Sequence, residues 1–227
     1  MTRPQLVFID TETTGLDAVA DRLIEVAAVR VNARLRITER FRSLVRPGIP
    51  VSLMVQRLTG ITAAELGGAP PIDEVYPRFV EFVGDAVVVG QNVGFDLAFL
   101  TAAARRRGRR PPAWSSFDTL EASLLLYPEL DRHGLDAMAQ YLQVEPPAHR
   151  ALRDAEATVE LFAALCGRAA ALADPERRLL QGIAWPPLAQ LDRFRQAPRE
   201  APPPLVAAAP SGPAAAGPAA LDVQADG

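Results

Sequence analysis

The feature that most constrains this chain is a short apolar run that leads directly into two carboxylates. Residues 6–9 are Leu-Val-Phe-Ile, and such a run with two β-branched members is typical of a strand buried on both faces. Because side chains alternate along a strand, Phe8, Asp10 and Glu12 share one face. Neighbouring carboxylates at the end of an apolar strand repel each other and lose hydration, and a divalent cation relieves both costs. This stretch alone leaves two interpretations open, a metal site and an acidic surface turn.

The composition is that of a globular protein and limits the partners it can have. Hydrophobic residues make up 49% of the 227 residues, which suffices for a packed core in one large domain or one domain with an appendage. The formal net charge of −3 disfavours a protein that coats DNA non-specifically. All 24 basic residues are Arg, so any phosphate contact from a basic side chain has to come from a guanidinium group.

Cysteine usage and hydropathy indicate the compartment. Cys166 is the single cysteine, which excludes an intramolecular disulfide and suits a reducing environment. No apolar run approaches the ~18 residues needed to span a bilayer, and the N-terminal stretch lacks the apolar segment of a signal peptide. We therefore expect a soluble, cytoplasmic protein without a membrane partner.

The residues that follow the first strand predict two further strands of the same sheet. Residues 23–31 and 36–45 read as two further strands, and their short separations predict an antiparallel meander. Glu25 lies inside the second strand, and we interpret it as an edge or solvent-facing residue. Residues 71–83 predict an amphipathic helix that Pro77 kinks or breaks.

A second carboxylate is predicted at the start of a helix. Residues 86–90 form a short apolar strand, and a helix begins near residue 95. The positions that share one face of this helix are Asp96, Phe99, Leu100 and Ala103. Asp96 therefore heads an inward-facing stripe, which favours a functional role over an ordinary complement to the helix dipole. Residues 114–118 and 119–126 predict another strand and another helix.

A third carboxylate repeats this arrangement further along the chain. Asp154 heads a helix whose apolar positions follow a 3.6-residue repeat. His149 precedes it on a loop, where a histidine is more often a hydrogen-bonding residue than a base. We interpret the other histidine, His133, as a turn residue before a helix that ends near residue 142.

The three segments together resemble a known family. FIDTETTG, GQNVGFDLAFL and HRALRDA are similar in order and spacing to the three motifs of DEDD-superfamily 3′–5′ exonucleases of the histidine subclass, such as the proofreading epsilon subunits of bacterial DNA polymerase III. The resemblance covers about residues 5–172. It implies an α/β fold like that of ribonuclease H, with a mixed sheet of five strands flanked by helices.

The resemblance also implies a cofactor and the residues that hold it. Two divalent ions, Mg²⁺ or Mn²⁺, are expected about 3.5–4 Å apart. Asp10 would bridge them, Glu12 and Asp154 would complete one site, and Asp96 would hold the other. His149 would be the general base that takes a proton from the attacking water.

Substrate contacts follow from the same resemblance. The terminal nucleotide is expected against the backbone of Thr13 and Thr14 and against the side chains of four further residues: Leu16, Thr59, Asn92 and Phe95. Two departures bear on substrate preference. Gln91 stands where many relatives have His before the motif Asn, and Thr59 stands where many have a His that contacts the nucleotide in the epsilon subunit.

The sequence thus predicts a metal-dependent 3′–5′ exonuclease that acts on a single-stranded or frayed 3′ end, with DNA favoured and polymerase proofreading as its setting. Two alternatives stay open, an RNA-trimming or oligonucleotide-degrading exoribonuclease and a non-catalytic interaction module with the same fold.

We expect three regions in the chain: an exonuclease domain over residues 1–175, a C-terminal extension over 176–196, and a disordered Ala/Pro-rich tail over 197–227. Residues 190–194 faintly resemble a sliding-clamp-binding pentapeptide, although Arg193 occupies a position where an apolar residue is expected. The C-terminal region is therefore a candidate tether to a DNA polymerase or a sliding clamp.

Overall fold

The computed structural model describes residues 5–144 and 147–182, which contain one mixed five-stranded sheet in the order β3-β2-β1-β4-β5. β1 pairs antiparallel with β2 and parallel with β4, β2 pairs antiparallel with β3, and β4 pairs parallel with β5. The strands are β1 (Leu6–Thr13), β2 (Leu23–Val31), β3 (Ile37–Leu44), β4 (Val87–Gly90) and β5 (Ser116–Asp118). The predicted meander and mixed sheet are confirmed.

Helices cover both faces of this sheet. In the described residues they are α1 (Leu53–Thr59), α2 (Ala63–Gly67), α3 (Ile72–Val83), α4 (Val93–Arg105), α5 (Thr119–Leu126), α6 (Leu135–Leu142), α7 (Ala151–Ala170) and α8 (Asp174–Gly182). None of these helices is both long enough and apolar enough to cross a bilayer.

β1 is central because its side chains alternate between two separate hydrophobic clusters, one on each face of the sheet. Phe8 packs into a cluster with residues of α5, α6 and α7, and its ring meets that of Phe162 edge to face at 5.4 Å. Val7 and Ile9 pack into the other cluster, with residues of α3 and α4. The expectation of a strand buried on both faces is therefore confirmed, and the carboxylates at its far end are held on a rigid element.

Some predicted boundaries shift. α4 begins at Val93 rather than near residue 95, because Asn92 adopts a left-handed conformation (φ 60°) that ends the preceding turn. β5 begins at Ser116, and Trp114 instead donates its ring N–H to the carbonyl of Gly84. Pro77 lies inside α3 without breaking it, since the helix buries an apolar face that outweighs one missing hydrogen bond.

Glu25 is placed differently from the sequence interpretation, whereas His133 lies just before α6 as expected. Glu25 is fully buried rather than edge or solvent-facing, because β3 covers the outer side of β2 and α7 covers its face. His133 precedes α6 as a buried residue, and its Nε2 donates to the carbonyl of Tyr127 at 2.9 Å.

The C-terminal part of the chain is described only as far as Gly182. α8 extends across the boundary that we expected between a domain and its extension. The pentapeptide at 190–194 and the tail at 197–227 lie outside the described residues, so the interpretations placed on them stay predictions.

Candidate active site

Four carboxylates converge at one end of β1, and we call Asp10, Glu12, Asp96 and Asp154 the acidic cluster. Asp10 and Glu12 project from the last residues of β1, where a bulge between Glu12 and Thr13 shifts the register with β2. Asp96 and Asp154 come from the first turns of α4 and α7. Both helices thus direct their N-terminal ends toward the same strand, where the helix dipole favours negative charge.

Three members of the acidic cluster are close enough to share one cation. One carboxylate oxygen from each of Asp10, Glu12 and Asp154 lies within 4.8 Å of the other two. Oxygen ligands of Mg²⁺ lie roughly 2.0–2.1 Å from the metal, so a small adjustment brings this set into coordination distance. The donor set is also of the right chemistry, because hard divalent cations prefer carboxylate oxygen.

Asp96 lies beside this group and is held by a neighbour on β1. Its Oδ1 accepts a hydrogen bond from Thr11 Oγ1 at 2.7 Å, and both residues are buried. Among the neighbouring charges, that of Asp96 contributes most to the raised pKa of Asp10. Asp96 and Asp10 therefore interact electrostatically.

The electrostatics of the acidic cluster indicate missing positive charge. Burial, followed by the charges of Asp96, Asp154 and Glu12, raises the pKa of Asp10 well above its usual range. Burial and the charge of Asp154 raise the pKa of Glu12 to about 8, and burial raises the pKa of Asp96 to about 7. Burial also raises the pKa of Asp154, against the opposing effect of an Ala148 hydrogen bond.

Within residues 5–144 and 147–182, no member of the acidic cluster forms an ion pair with a basic side chain. The charges of Arg150 and His149 lower the pKa of Glu12 and of Asp154, but burial and the neighbouring carboxylates outweigh them, so the cluster is a set of partly dehydrated, mutually repelling carboxylates. Divalent cations held by these residues would supply the missing charge, so the side chains present fit such a cofactor.

His149 lies near the cluster on an exposed loop. Its backbone is left-handed (φ 50°), which is uncommon for a residue with a side chain. The neighbouring Ala148 N–H donates to Asp154 Oδ1 at 2.9 Å, and the charge of His149 lowers the pKa of Asp154. The loop is thus attached to one carboxylate of the cluster, and the imidazole lies outside the group of three oxygens.

The residues expected to contact substrate differ in accessibility. Leu16 is 86% exposed at the β1–β2 turn, and Phe95 is half-buried with its ring 4.9 Å from that of Phe99. Asn92 is exposed, and its N–H donates to Asp118 Oδ1. Leu16 and Phe95 therefore offer apolar surface close to the cluster in sequence.

Thr13 and Thr14, whose backbone is expected to contact the terminal nucleotide, already form hydrogen bonds within the protein. The N–H of Thr14 donates to the carbonyl of Arg22, and the hydroxyl of Thr13 donates to the carbonyl of Gly15.

Thr59 is a correction to the expected substrate contacts. It is only 3% exposed, its hydroxyl donates to the carbonyl of Val55, and that hydroxyl accepts from the N–H of Ile61. The side chain completes the end of α1, where Gly60 adopts the left-handed cap. The hydroxyl of Thr59 therefore serves the helix end and is not presented to a nucleotide.

Gln91 connects several elements of the fold through its side chain. Its Nε2 donates to the carbonyl of His133 at 2.6 Å, and its Oε1 accepts from Thr119 Oγ1 at 2.6 Å. Gln91 therefore gives this chain a structural connection between the β4–α4 turn, α5 and the segment before α6.

Sequence reasoning missed three residues that the structure places around the cluster: Thr11, Glu25 and Arg150. Thr11 supports Asp96, as described above. Glu25 lies directly opposite Glu12 in the β1–β2 register, and Arg150 Nε lies 3.5 Å from Glu25. The one available signal was an acidic residue inside an otherwise apolar strand, LIEVAAV.

Comparison with known proteins identifies the family. Residues 7–162 match the family model described as Exonuclease. The PolC-type DNA polymerase III of Caldanaerobacter subterraneus subsp. tengcongensis is 39% identical over 159 residues, an alignment that covers 70% of this chain and 11% of that protein. The DNA polymerase III subunit epsilon of Aquifex aeolicus is 40% identical over 157 residues, covering 69% of this chain and 77% of that one.

A solved structure agrees in fold. Exonuclease X in complex with 5′ overhanging duplex DNA superposes with a TM-score of 0.59 at 26% identity, covering 74% of this chain and 95% of that one. The sequence alignments with the PolC-type DNA polymerases cover only about a tenth of the length of those proteins, which are therefore much longer than this chain. The ribonuclease H-like mixed sheet, the carboxylates at its centre and the match over residues 7–162 all agree: this chain belongs to the exonuclease family.

Proposed function

We propose that this chain is a 3′–5′ exonuclease that hydrolyses the terminal phosphodiester bond of DNA and releases nucleoside 5′-monophosphates. The observation that carries the proposal is the convergence of Asp10, Glu12 and Asp154 oxygens within 4.8 Å, with Asp96 beside them. Membership of the exonuclease family supports the reaction class. The DNA substrate rests on the relatives, which are named as DNA polymerase III proteins.

The cofactor is proposed as a pair of divalent cations, Mg²⁺ or Mn²⁺. Asp10, Glu12 and Asp154 would hold one, and Asp10 with Asp96 would hold the other. When bound, such ions polarise the phosphate and acidify the attacking water. The chain itself supplies the geometry, because Thr11 fixes the orientation of Asp96 and the Ala148 N–H fixes that of Asp154.

His149 is proposed as the general base. An imidazole changes charge near neutral pH, so it can accept a proton from water and return it to solvent. His149 is exposed on the loop that is hydrogen-bonded to Asp154, so its ring is accessible from the solvent side of the site. Replacing His149 with Ala should therefore lower turnover far more than it lowers metal affinity.

Substrate grip is proposed to come from apolar contacts. Leu16 and Phe95 would pack against the base and sugar of the terminal nucleotide. Stacking of this kind does not read base identity, which suits removal of nucleotides regardless of sequence.

The test is a degradation assay on matched oligonucleotides. Single-stranded DNA, mismatched duplex DNA and single-stranded RNA, each labelled at the 5′ end, are incubated with Mg²⁺, with Mn²⁺ and with neither. We expect metal-dependent shortening of DNA from the 3′ end, lost in Asp10→Asn and retained in Asp85→Asn, which changes an exposed aspartate outside the cluster. Faster shortening of RNA would favour the exoribonuclease alternative, and no shortening with Mn²⁺ would favour the interaction module.

Proofreading implies a polymerase partner, and we propose that the C-terminal region provides the contact. The support is that the relatives are named as a PolC-type DNA polymerase III and a DNA polymerase III subunit epsilon, and the proposed setting is cytoplasmic DNA replication. Binding of the full chain to the replicative polymerase and to the sliding clamp of the same genome tests this, with Phe194→Ala as the variant. Equal binding by the variant would exclude the pentapeptide as the clamp contact.

A further inference from the structure

We infer that Glu25 is a positioning residue that fixes the first turn of α7, and with it Asp154 and the His149 loop, against the carboxylates of β1. The inference rests on the proposed function for its meaning, because it assigns a supporting role to a residue outside the acidic cluster. It is carried by burial, register and hydrogen bonds around one side chain.

The location of Glu25 requires an explanation. The side chain is fully buried, and the residue lies directly opposite Glu12 in the β1–β2 register. Cross-strand neighbours share a face, and like charges at such positions destabilise a sheet. Burial of a charge is costly unless it is paired and hydrogen-bonded.

The two oxygens of Glu25 divide their partners between two elements. Oε1 accepts from Arg42 Nε at 2.5 Å, on the neighbouring strand β3. Oε2 accepts from the backbone N–H of Ala151 at 3.0 Å and lies 3.5 Å from Arg150 Nε. One carboxylate thus joins β2, β3 and the beginning of α7.

The contact with Ala151 replaces a missing cap. The first N–H groups of a helix lack partners within the helix, and a side chain just before it normally accepts from one of them. The residue in that position before α7 is Arg150, which makes no such bond. Glu25, 126 residues away in sequence, satisfies the N–H of Ala151 instead and adds a negative charge at the positive end of the helix dipole.

This cap lies in the middle of the site. Ala151 is two residues after His149 and three before Asp154. Asp154 in turn accepts from Ala148, so the segment from 148 to 154 is closed on itself and attached to β2 through Glu25. Loss of the cap would let this segment shift relative to Asp10 and Glu12, and displacements of about 1 Å at a reacting centre can cost about 100-fold in rate.

The chain offers a matched control. Glu156 lies one turn further along α7 and pairs with Arg40 at 2.7 Å, so it is also an arginine-paired carboxylate, although it is only partly buried. Its other oxygen lies 3.5 Å from the side chain of Arg153, whereas Glu25 accepts from the backbone N–H of Ala151. Glu156→Gln should therefore lower stability without changing the site.

The experiment compares Glu25→Ala, Glu25→Gln and Glu156→Gln in the full chain. We expect Glu25→Ala to lower kcat about 10- to 100-fold with KM for DNA changed less than about twofold, and to weaken Mn²⁺ binding about 10-fold in calorimetry without DNA. Glu25→Gln has a single oxygen for the two donors Arg42 and Ala151, so it should show a smaller loss of the same kind, whereas Glu156→Gln should show none. Amide exchange over residues 147–154 should rise in Glu25→Ala and stay unchanged in Glu156→Gln.

The outcomes separate the inference from the proposed function. If wild-type protein binds Mn²⁺ but degrades no nucleic acid, the proposed function fails, and calorimetry with amide exchange still tests Glu25. If Glu25→Ala does not fold, the comparison of Glu25→Gln with Glu156→Gln decides. Unchanged kcat, Mn²⁺ affinity and exchange in the folded Glu25 variants would overturn the positioning role.

Discussion

Two groups of carboxylates adjoin each other in this fold and differ in how their charge is balanced. Glu25 lies opposite Glu12 in the β1–β2 register, and Glu156 follows Asp154 by two residues. Glu25 and Glu156 are each paired with arginine, to Arg42 and Arg40 respectively. The acidic cluster is more crowded, and within the described residues it has no arginine partner. This fold therefore pairs with arginine the acidic groups that hold its elements together, and leaves without an arginine partner those that face the candidate reaction centre.

This contrast has a thermodynamic consequence. An arginine-paired carboxylate contributes to stability as long as both partners are present, and removing one partner leaves the other uncompensated. A repelling carboxylate lowers the stability of the metal-free protein, and removing it relieves the repulsion. Substitution should therefore lower the free energy of unfolding in the arginine-paired group, and leave it unchanged or raise it in the acidic cluster, and the predictions below test that opposition.

The largest expected effect is the loss of activity in Asp10→Asn. Asp10 is common to both proposed metal positions, so the loss should exceed the 10- to 100-fold typical of a residue that only supports a metal ligand. The melting temperature of the metal-free variant should equal or exceed that of the wild type, because one repelling charge is gone. Initial rates measure the loss of activity, and calorimetry measures the melting temperature. An active or clearly destabilised Asp10→Asn would contradict the assignment of Asp10 to a repelling, metal-binding cluster.

The next effect is stabilisation by added metal. At a Mg²⁺ or Mn²⁺ concentration of about 100 times the dissociation constant, binding to the folded state alone adds about 2.7 kcal/mol. For a domain of this size, that corresponds to a rise of roughly 5–10 °C in melting temperature. Thermal scans with and without metal should show this rise in wild type and in Glu156→Gln. A similar rise in Asp10→Asn would place the bound cations elsewhere.

The pH dependence of the metal-free protein is a third test. The folded-state pKa values of Glu12 and Asp96 are raised to about 8 and about 7, above those of the unfolded chain. Between the unfolded and folded pKa values the folded state binds more protons, so stability is greatest at the acidic end and is lost as pH rises toward 8.

Denaturant titrations from pH 5 to pH 8.5 should show this decline, and saturating Mg²⁺ should reduce it, because bound cations favour the ionised carboxylates. A metal-free protein whose stability rises over this range would contradict the assigned electrostatics of the acidic cluster.

A smaller effect is expected from Thr11→Val, which removes the hydroxyl that donates to Asp96. That hydrogen bond opposes the rise in the pKa of Asp96, so its loss should move the acidic limb of the pH–rate profile to higher pH. The stability cost should be about 1 kcal/mol, the usual worth of one such bond. An unchanged profile would show that Asp96 does not need this support.

The sequence predicted the parts of the site that are encoded locally. The apolar run before Asp10 predicted a central strand, and helical spacing predicted that Asp96 and Asp154 head inward-facing stripes. These features depend on a few consecutive residues and on the period of the element, so they are visible without a fold.

The parts that sequence reasoning missed depend on distant pairings. The strand pattern alone favours an edge or solvent-facing Glu25, because its partners Arg42 and Ala151 lie 17 and 126 residues away and are not visible in the local sequence. Thr59 was expected at the nucleotide because of the motif it belongs to, whereas its hydroxyl completes the end of α1. In both cases tertiary hydrogen bonds or local caps decided the role, and residue type alone did not.

The most direct test of the account is anomalous diffraction from a crystal soaked in Mn²⁺. The account predicts a manganese peak within about 2.0–2.3 Å of oxygens from Asp10, Glu12 and Asp154, and no such peak in Asp10→Asn. The absence of a manganese peak among these three side chains, at a Mn²⁺ concentration at which the protein degrades DNA, would contradict this assignment.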